Sequence, residues 1–159
     1  VARYAEGTKV SIENSKAEIE KILMRYGAEQ FMSGWNREEA RIMFQYGGWV
    51  VRFKVPLPDP MDGEFTLTPT GRERSEKQAT EAWEQEVRRR WRALTLLIKA
   101  KLEAVTSDIG SEAQLVTFEE EFMPYIVGPN DQTIAEAFLP QMKRALAEGT
   151  MPKALPFLG

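Results

Sequence analysis

Two strictly alternating apolar runs meet at Gly47-Gly48, and they leave this part of the chain little choice of local fold. Ala40, Ile42, Phe44 and Tyr46 recur at every second position before the glycines, and Trp49, Val51, Phe53 and Val55 do so after them. A period of two puts each apolar set on one face of a strand. Glycine at both central positions suits a type I′ turn, whose central residues need φ > 0. The register that follows pairs Tyr46 with Trp49, Phe44 with Val51, Ile42 with Phe53 and Ala40 with Val55. One face is then wholly apolar, as a sheet packed on a core requires. The other carries Arg41 opposite Lys54, Met43 opposite Arg52 and Gln45 opposite Val50, and is expected to be wet and basic.

The rest of the chain reads as a partner layer for this hairpin. Ser15 and Glu18 form a capping-box pattern ahead of Ile19, Ile22, Leu23 and Tyr26, which predicts a helix over 15–26 stopped by Gly27. Alternation over Gln30–Trp35 predicts a first strand. Pro56, Pro58 and Pro60 end the hairpin, because each lacks the amide that a continued ladder needs. The 57–71 stretch is long for a structureless connection and is a candidate functional or mobile loop, with a short strand expected at 65–68. Ser75 and Gln78 cap the longest predicted helix, 75–105, along which Trp83, Val87, Trp91, Leu94, Ile98, Leu102 and Val105 form one apolar stripe. Leu96, Leu97, Ala93 and Ala100 widen the stripe, so its second half is expected to be the more buried. Thr117 caps a short helix closed by Pro124. Thr133 caps a last one up to Gly149, with Ile134, Ala137, Phe138, Met142 and Leu146 along one face and Pro140 inside it. The fold class expected is α+β, a small antiparallel meander with helices packed on one face around one long central helix. Residues 1–149 form one domain, and 150–159 form a proline-containing apolar tail.

Composition removes whole classes of chemistry. The chain has 159 residues with neither cysteine nor histidine. Disulfides, zinc sites built on Cys or His, thiol nucleophiles and histidine acid–base catalysis are therefore excluded. The length suffices to bury about two-thirds of the unfolded surface in one core. No apolar run approaches the ~18 residues of a membrane span, and the first ten residues lack a signal-peptide pattern, so a cytoplasmic location is expected. The net charge is only −3, but it is unevenly spread: +2 over residues 37–56, −3 over 57–70, +4 over 71–101 and −6 over 102–159. A basic middle and an acidic C-terminal third suggest head-to-tail homo-oligomers, the acidic end of one subunit meeting the basic middle of another.

The candidate site is that basic middle. Arg41, Arg52 and Lys54 on the outer sheet face, with Arg72, Arg74, Arg88, Arg89 and Arg92 around the long helix, read as a phosphate-tracking surface for nucleic acid. The alternative is a solvated helix face laced by Glu84–Arg88 and Glu86–Arg90 pairs at i,i+4. Arg90 lies close enough to the apolar stripe to be partly buried against Glu86, a structural role. The loop from Thr68 to Ser75 enters a helix N-terminus beside arginines, where either a phosphate contact or an ordinary cap is possible; it lacks the spaced glycines and Lys-Ser/Thr of a P-loop. Asp59, Asp62 and Glu64 share a loop without EF-hand spacing, so no metal site is expected. Glu119, Glu120 and Glu121 are consecutive, diverge on a helix, and suit its N-terminus. No catalytic residue emerges, since no paired carboxylates stand out, and no cofactor is implied. Trp49, Phe44, Phe53, Trp83 and Trp91 are expected in the core, leaving Trp35 and Tyr4 open as stacking platforms.

Over most of its length the chain resembles a family of uncharacterised small proteins of phages and prophages. The resemblance lies in Ala17–Glu20, Arg25–Ala28, Val51–Pro58, Phe65–Pro69, Arg90–Leu94, Ile98–Ala104 and Thr117–Glu121. It implies no activity. The order of opening helix, meander and long Arg/Ala helix is also similar to the core of Erf-type single-strand annealing proteins, with Ala79–Leu97 matching their helix. The chain departs from that pattern in having no glycine-rich stretch before the helix and no evident fourth strand. The second resemblance implies single-stranded DNA held between a sheet and a helical layer, and ring assembly. The expected function is thus non-catalytic single-stranded DNA binding in recombination or replication, with no membrane partner. The alternative is a protein-binding inhibitor or adaptor that uses the acidic third and apolar tail against host machinery.

Overall fold

A computed structural model of the chain describes residues 2–105 and 116–151. Its elements in order are α1 (Ala2–Arg25), β1 (Gln30–Trp35), β2 (Glu39–Tyr46), β3 (Trp49–Pro56), α2 (Gly63–Thr66), α3 (Glu76–Val105), α4 (Phe118–Phe122), a 3₁₀ turn (Met123–Tyr125) and α5 (Ile134–Glu148). The three strands form an antiparallel sheet in the order β1-β2-β3, so the fold is α+β. The hairpin register is the one the alternation dictates, from Ala40 opposite Val55 to Tyr46 opposite Trp49. Gly47 and Gly48 have φ of 55° and 84°, the left-handed pair that a type I′ turn demands.

The core lies between one sheet face and the α1–α3 layer. Ile42, Phe44, Val51 and Phe53 meet Ile19 and Leu23 of α1 and Val87, Trp91, Ile98 and Leu102 of α3 in one buried cluster. Phe118 and Phe122 of α4 close it, with Phe122 edge-on to both Phe44 and Phe53. The α3 cap forms as expected: the Gln78 amide donates to Ser75 Oγ and the Ser75 amide to Gln78 Oε1. Thr117 and Thr133 cap α4 and α5, and Thr133 with Glu136 makes a complete capping box.

Several expectations need correction. α1 begins at Ala2 rather than Ser15, so Ser15 and Glu18 lie inside a helix instead of at its start. The end is where expected: Gly27 at φ 92° bonds back to Met24, and Ala28 to Leu23, a Schellman closure. Residues 65–68 are not a strand. Asp62 caps a single helical turn, α2, that buries Phe65. The 57–71 stretch is therefore organised, with Asp59 and Asp62 accepting backbone amides in tight turns and a Leu67–Glu73 bridge closing it. The second half of α3 is the more buried, as expected, with Trp91, Leu94, Thr95, Ile98, Leu102 and Val105 inside against Glu84 and Val87 in the first half, but the apolar stripe is not widened there. Leu96 and Leu97 are 57% and 42% exposed, and Ala93 and Ala100 also face solvent. Trp91, Phe44 and Phe53 are core, but Trp83 is half-buried and Trp49, at the tip of the hairpin, is 41% exposed and donates Nε1–H to Glu119. In α5 the one fully buried residue is Ala145, and Leu146 is exposed. The 150–159 tail falls almost wholly outside the described residues.

Candidate functional site

The outer sheet face is basic in sequence and largely neutralised in space. Arg52 is only 4% exposed, because the turn before α5 and the first turn of α5 lie over it. Its guanidinium donates to Asp131 Oδ1 and to the Asp131 carbonyl at 2.9 Å, and to Glu136 Oε2 at 3.2 Å. Lys54, on the same face, pairs with Glu136 at 3.0 Å. Burial pushes the Glu136 carboxyl up, but the Lys54 hydrogen bond and the charges of Lys54 and Arg52 outweigh it and hold the group below its ordinary value. Arg41 folds back onto Glu39. The expectation of a wet, basic sheet face is thus corrected. A residue-by-residue period shows which way Arg52 points, but not that an acidic turn some eighty residues later covers it.

The same tertiary pairing recurs elsewhere. Lys101 of α3 reaches the Glu121 carboxylate at 2.8 Å and packs near the rings of Phe122 and Tyr125. With Trp49 bonded to Glu119, two of the three consecutive glutamates turn back onto the basic middle. The acid–base complementarity between the two halves of the sequence is therefore satisfied, at these pairs, within one chain.

The cations around α3 divide into three kinds. Arg90 is structural as expected: Nε donates to Glu86 at 2.9 Å and Nη1 to the Pro56 carbonyl at 2.6 Å, tying α3 to the end of β3. Arg89 makes a two-point contact with the same Glu86, whose carboxyl these arginine hydrogen bonds lower to about 2. Arg74 is also committed, donating to the Phe65 carbonyl at the end of α2. The third kind is open. Arg88 and Arg92 stand one turn apart, both exposed, with no acidic partner among the described residues. The expected Glu84–Arg88 pair does not form, because Glu84 turns into the buried side of α3 while Arg88 faces outward. Lys99 lies on the same flank of the helix, about 16 Å beyond Arg88, with only a 4.0 Å contact to Glu103. Arg72 and Lys77 are exposed near the N-terminal end.

The N-terminus of α3 carries an ordinary capping box, in which Ser75 Oγ accepts from the Gln78 amide and Gln78 Oε1 from the Ser75 amide. Asp59 and Asp62 are engaged by backbone amides. No group of three acidic residues close enough to hold a metal ion occurs among the described residues. No helix among them is long and apolar enough to cross a membrane. Comparison with known proteins found no matching family model, curated protein or solved structure.

Proposed function

We propose that this protein is a non-catalytic, phage-type nucleic-acid-binding protein that engages single-stranded DNA in recombination or replication, and that it does so with α3 rather than with the sheet. The row Arg88, Arg92 and Lys99 carries this reading. These cations share one exposed flank of a long helix, and two of them have no competing carboxylate among the described residues. Neutralising phosphates with such a row releases counterions, which favours binding at low salt with little regard for sequence. Arg52 and Lys54 drop out of the contact set, because displacing Glu136 from them would leave a buried guanidinium short of partners.

The test is fluorescence anisotropy of a labelled single-stranded oligonucleotide over a salt series, with duplex DNA as competitor. Binding that weakens steeply with salt and resists the duplex supports the reading. Reversing both Arg88→Glu and Arg92→Glu should cost more than about tenfold in affinity, whereas Arg41→Glu, already paired with Glu39, should cost far less. No binding by the native chain at low salt would overturn the proposal.

A protein-binding adaptor is the second reading, and one observation favours it. Leu96 and Leu97 are large apolar side chains left open beside Ala93 and Ala100 on α3. A contiguous apolar surface of this kind is more typical of a protein contact than of a phosphate contact.

A further inference from the structure

The two edges of the sheet are treated differently. Beyond β3, the Val127 amide donates to the Val50 carbonyl at 2.8 Å and Ile126 bridges Val51, so that edge is partly closed by the chain itself. Beyond β1 no backbone hydrogen bond is made by any described residue. β1 also lacks the usual protection of an edge strand: Gln30-Phe-Met-Ser-Gly-Trp35 contains no charge and no proline. Met32 and Trp35 stand 61% and 73% exposed on it.

The direction of its free groups follows from the ladder. In the two-residue hairpin Tyr46 and Trp49 are a hydrogen-bonded pair, so the even residues of β2 face β3 and its odd residues face β1. Through the β1–β2 register, the even residues of β1 face β2, as the Asn36 amide donating to the Glu39 carbonyl confirms. The amides and carbonyls of Phe31, Ser33 and Trp35 therefore point outward, with no backbone partner among the described residues.

We infer that β1 is a dimerisation edge, pairing antiparallel with β1 of a second copy about a two-fold axis at Ser33 and making one six-stranded sheet. The sequence of the strand is self-complementary in this register. Ser33 faces its own copy, and Phe31 of each chain lies opposite Trp35 of the other, an aromatic cross-strand pair made twice. Those are the three residues whose backbone groups point outward, so the hydrogen-bonded pairs fall where donors and acceptors wait. Both aromatic residues lie on the core side of the sheet, since Phe31 is opposite Phe44 and Trp35 opposite Ala40, so the partner extends the same apolar face. Just beyond the strand ends, exposed Glu29 and exposed Arg37 come to the same level, one from each chain, giving opposite charges at both ends of the seam.

Sedimentation of the full chain over a concentration series, at low and high salt, tests this together with two variants. The native chain should sediment as a dimer at both salt concentrations. Ser33→Lys places two like charges across the axis and should raise the dimer dissociation constant more than about tenfold, with the far-ultraviolet spectrum of each subunit retained. Because the chain has no cysteine, Ser33→Cys reads the register directly. Opposed residues of a hydrogen-bonded pair sit ~5.5 Å apart at Cα, within disulfide reach, so mild oxidation should cross-link it. Met32→Cys, ~7–8 Å from its own copy, should not cross-link. A monomer at all concentrations would overturn the inference. So would a dimer indifferent to Ser33→Lys, a dimer lost in high salt alone, or efficient cross-linking of Met32→Cys in place of Ser33→Cys.

Discussion

Arg52 shows how one residue can invert its sequence-level meaning. Its guanidinium is buried while its acidic partners are not: Asp131 is largely exposed and Glu136 about one-third exposed. Removing either side of the pair is therefore not equivalent. Glu136→Gln leaves a buried cation with a reduced set of acceptors and should cost about 2–3 kcal/mol. Arg52→Met leaves carboxylates that water and Lys54 can still serve, and should cost about 1 kcal/mol. Urea titration of the two variants checks the order, which the opposite ranking would refute. Trp91 offers a second residue-scale prediction. Its ring is 1% exposed but its Nε1–H has no hydrogen-bond partner among the described residues. Trp91→Phe discards that unmet donor along with some volume, so its cost should stay below about 2 kcal/mol, against about 3–5 for Trp91→Ala. Thermal or chemical denaturation that found the two variants equally damaging would count against this account.

At the scale of elements, α3 is anchored to the sheet through Glu86, which holds Arg90 against the Pro56 carbonyl. Its carboxyl is lowered from the ordinary 4.5 to about 2 by hydrogen bonds from Arg89 and Arg90. A carboxylate with a depressed folded-state value contributes stability that is present above its unfolded value and lost as pH falls towards the folded one. The stability difference between the native chain and Glu86→Gln should accordingly be constant above about pH 5 and shrink between about 4.5 and 2. Its plateau should be on the order of 1 kcal/mol, since Arg89 is well exposed and that half of the contact is screened. Urea midpoints of both proteins over a pH series test it, and a pH-independent difference would exclude the mechanism. The elements also differ in how readily they are read. β2, β3 and their turn follow from period-two alternation and two adjacent glycines, both strictly local signals. α3 follows from a stripe and a cap. The opening of α1 escaped because a capping-box pattern at Ser15 looks the same inside a helix as at its start. The single turn of α2 escaped because four residues cannot show a period.

On the scale of the whole molecule, the distribution of charge matters more than its total. A sequence +4 in one segment and −6 in the next invites a model of subunits attracting one another. Folding brings Asp131, Glu136 and Glu121 onto Arg52, Lys54 and Lys101 of the same chain, while Arg88, Arg92 and Lys99 stay in a row on one flank of α3. The two proposals accordingly use different surfaces and different physics. Phosphate binding along α3 should weaken with salt, while pairing through β1 rests on backbone hydrogen bonds and aromatic contact and should persist. A salt series on the native chain separates the two.

What the sequence determined unaided was whatever depends on neighbours along the chain: the hairpin and its register, the caps at Ser75, Thr117 and Thr133, the stops at Gly27 and Gly149, and the pairing of Glu86 with Arg90. It likewise determined that histidine and cysteine chemistry are closed to this protein. Only the tertiary structure decided which basic residues remain available, that Arg52 is covered, that Leu96 and Leu97 are not, and which sheet edge stays open. The reason is range. Periodicity and capping act over a few residues and leave a local signature, whereas burial and ion pairing depend on which distant segment comes to lie across a face.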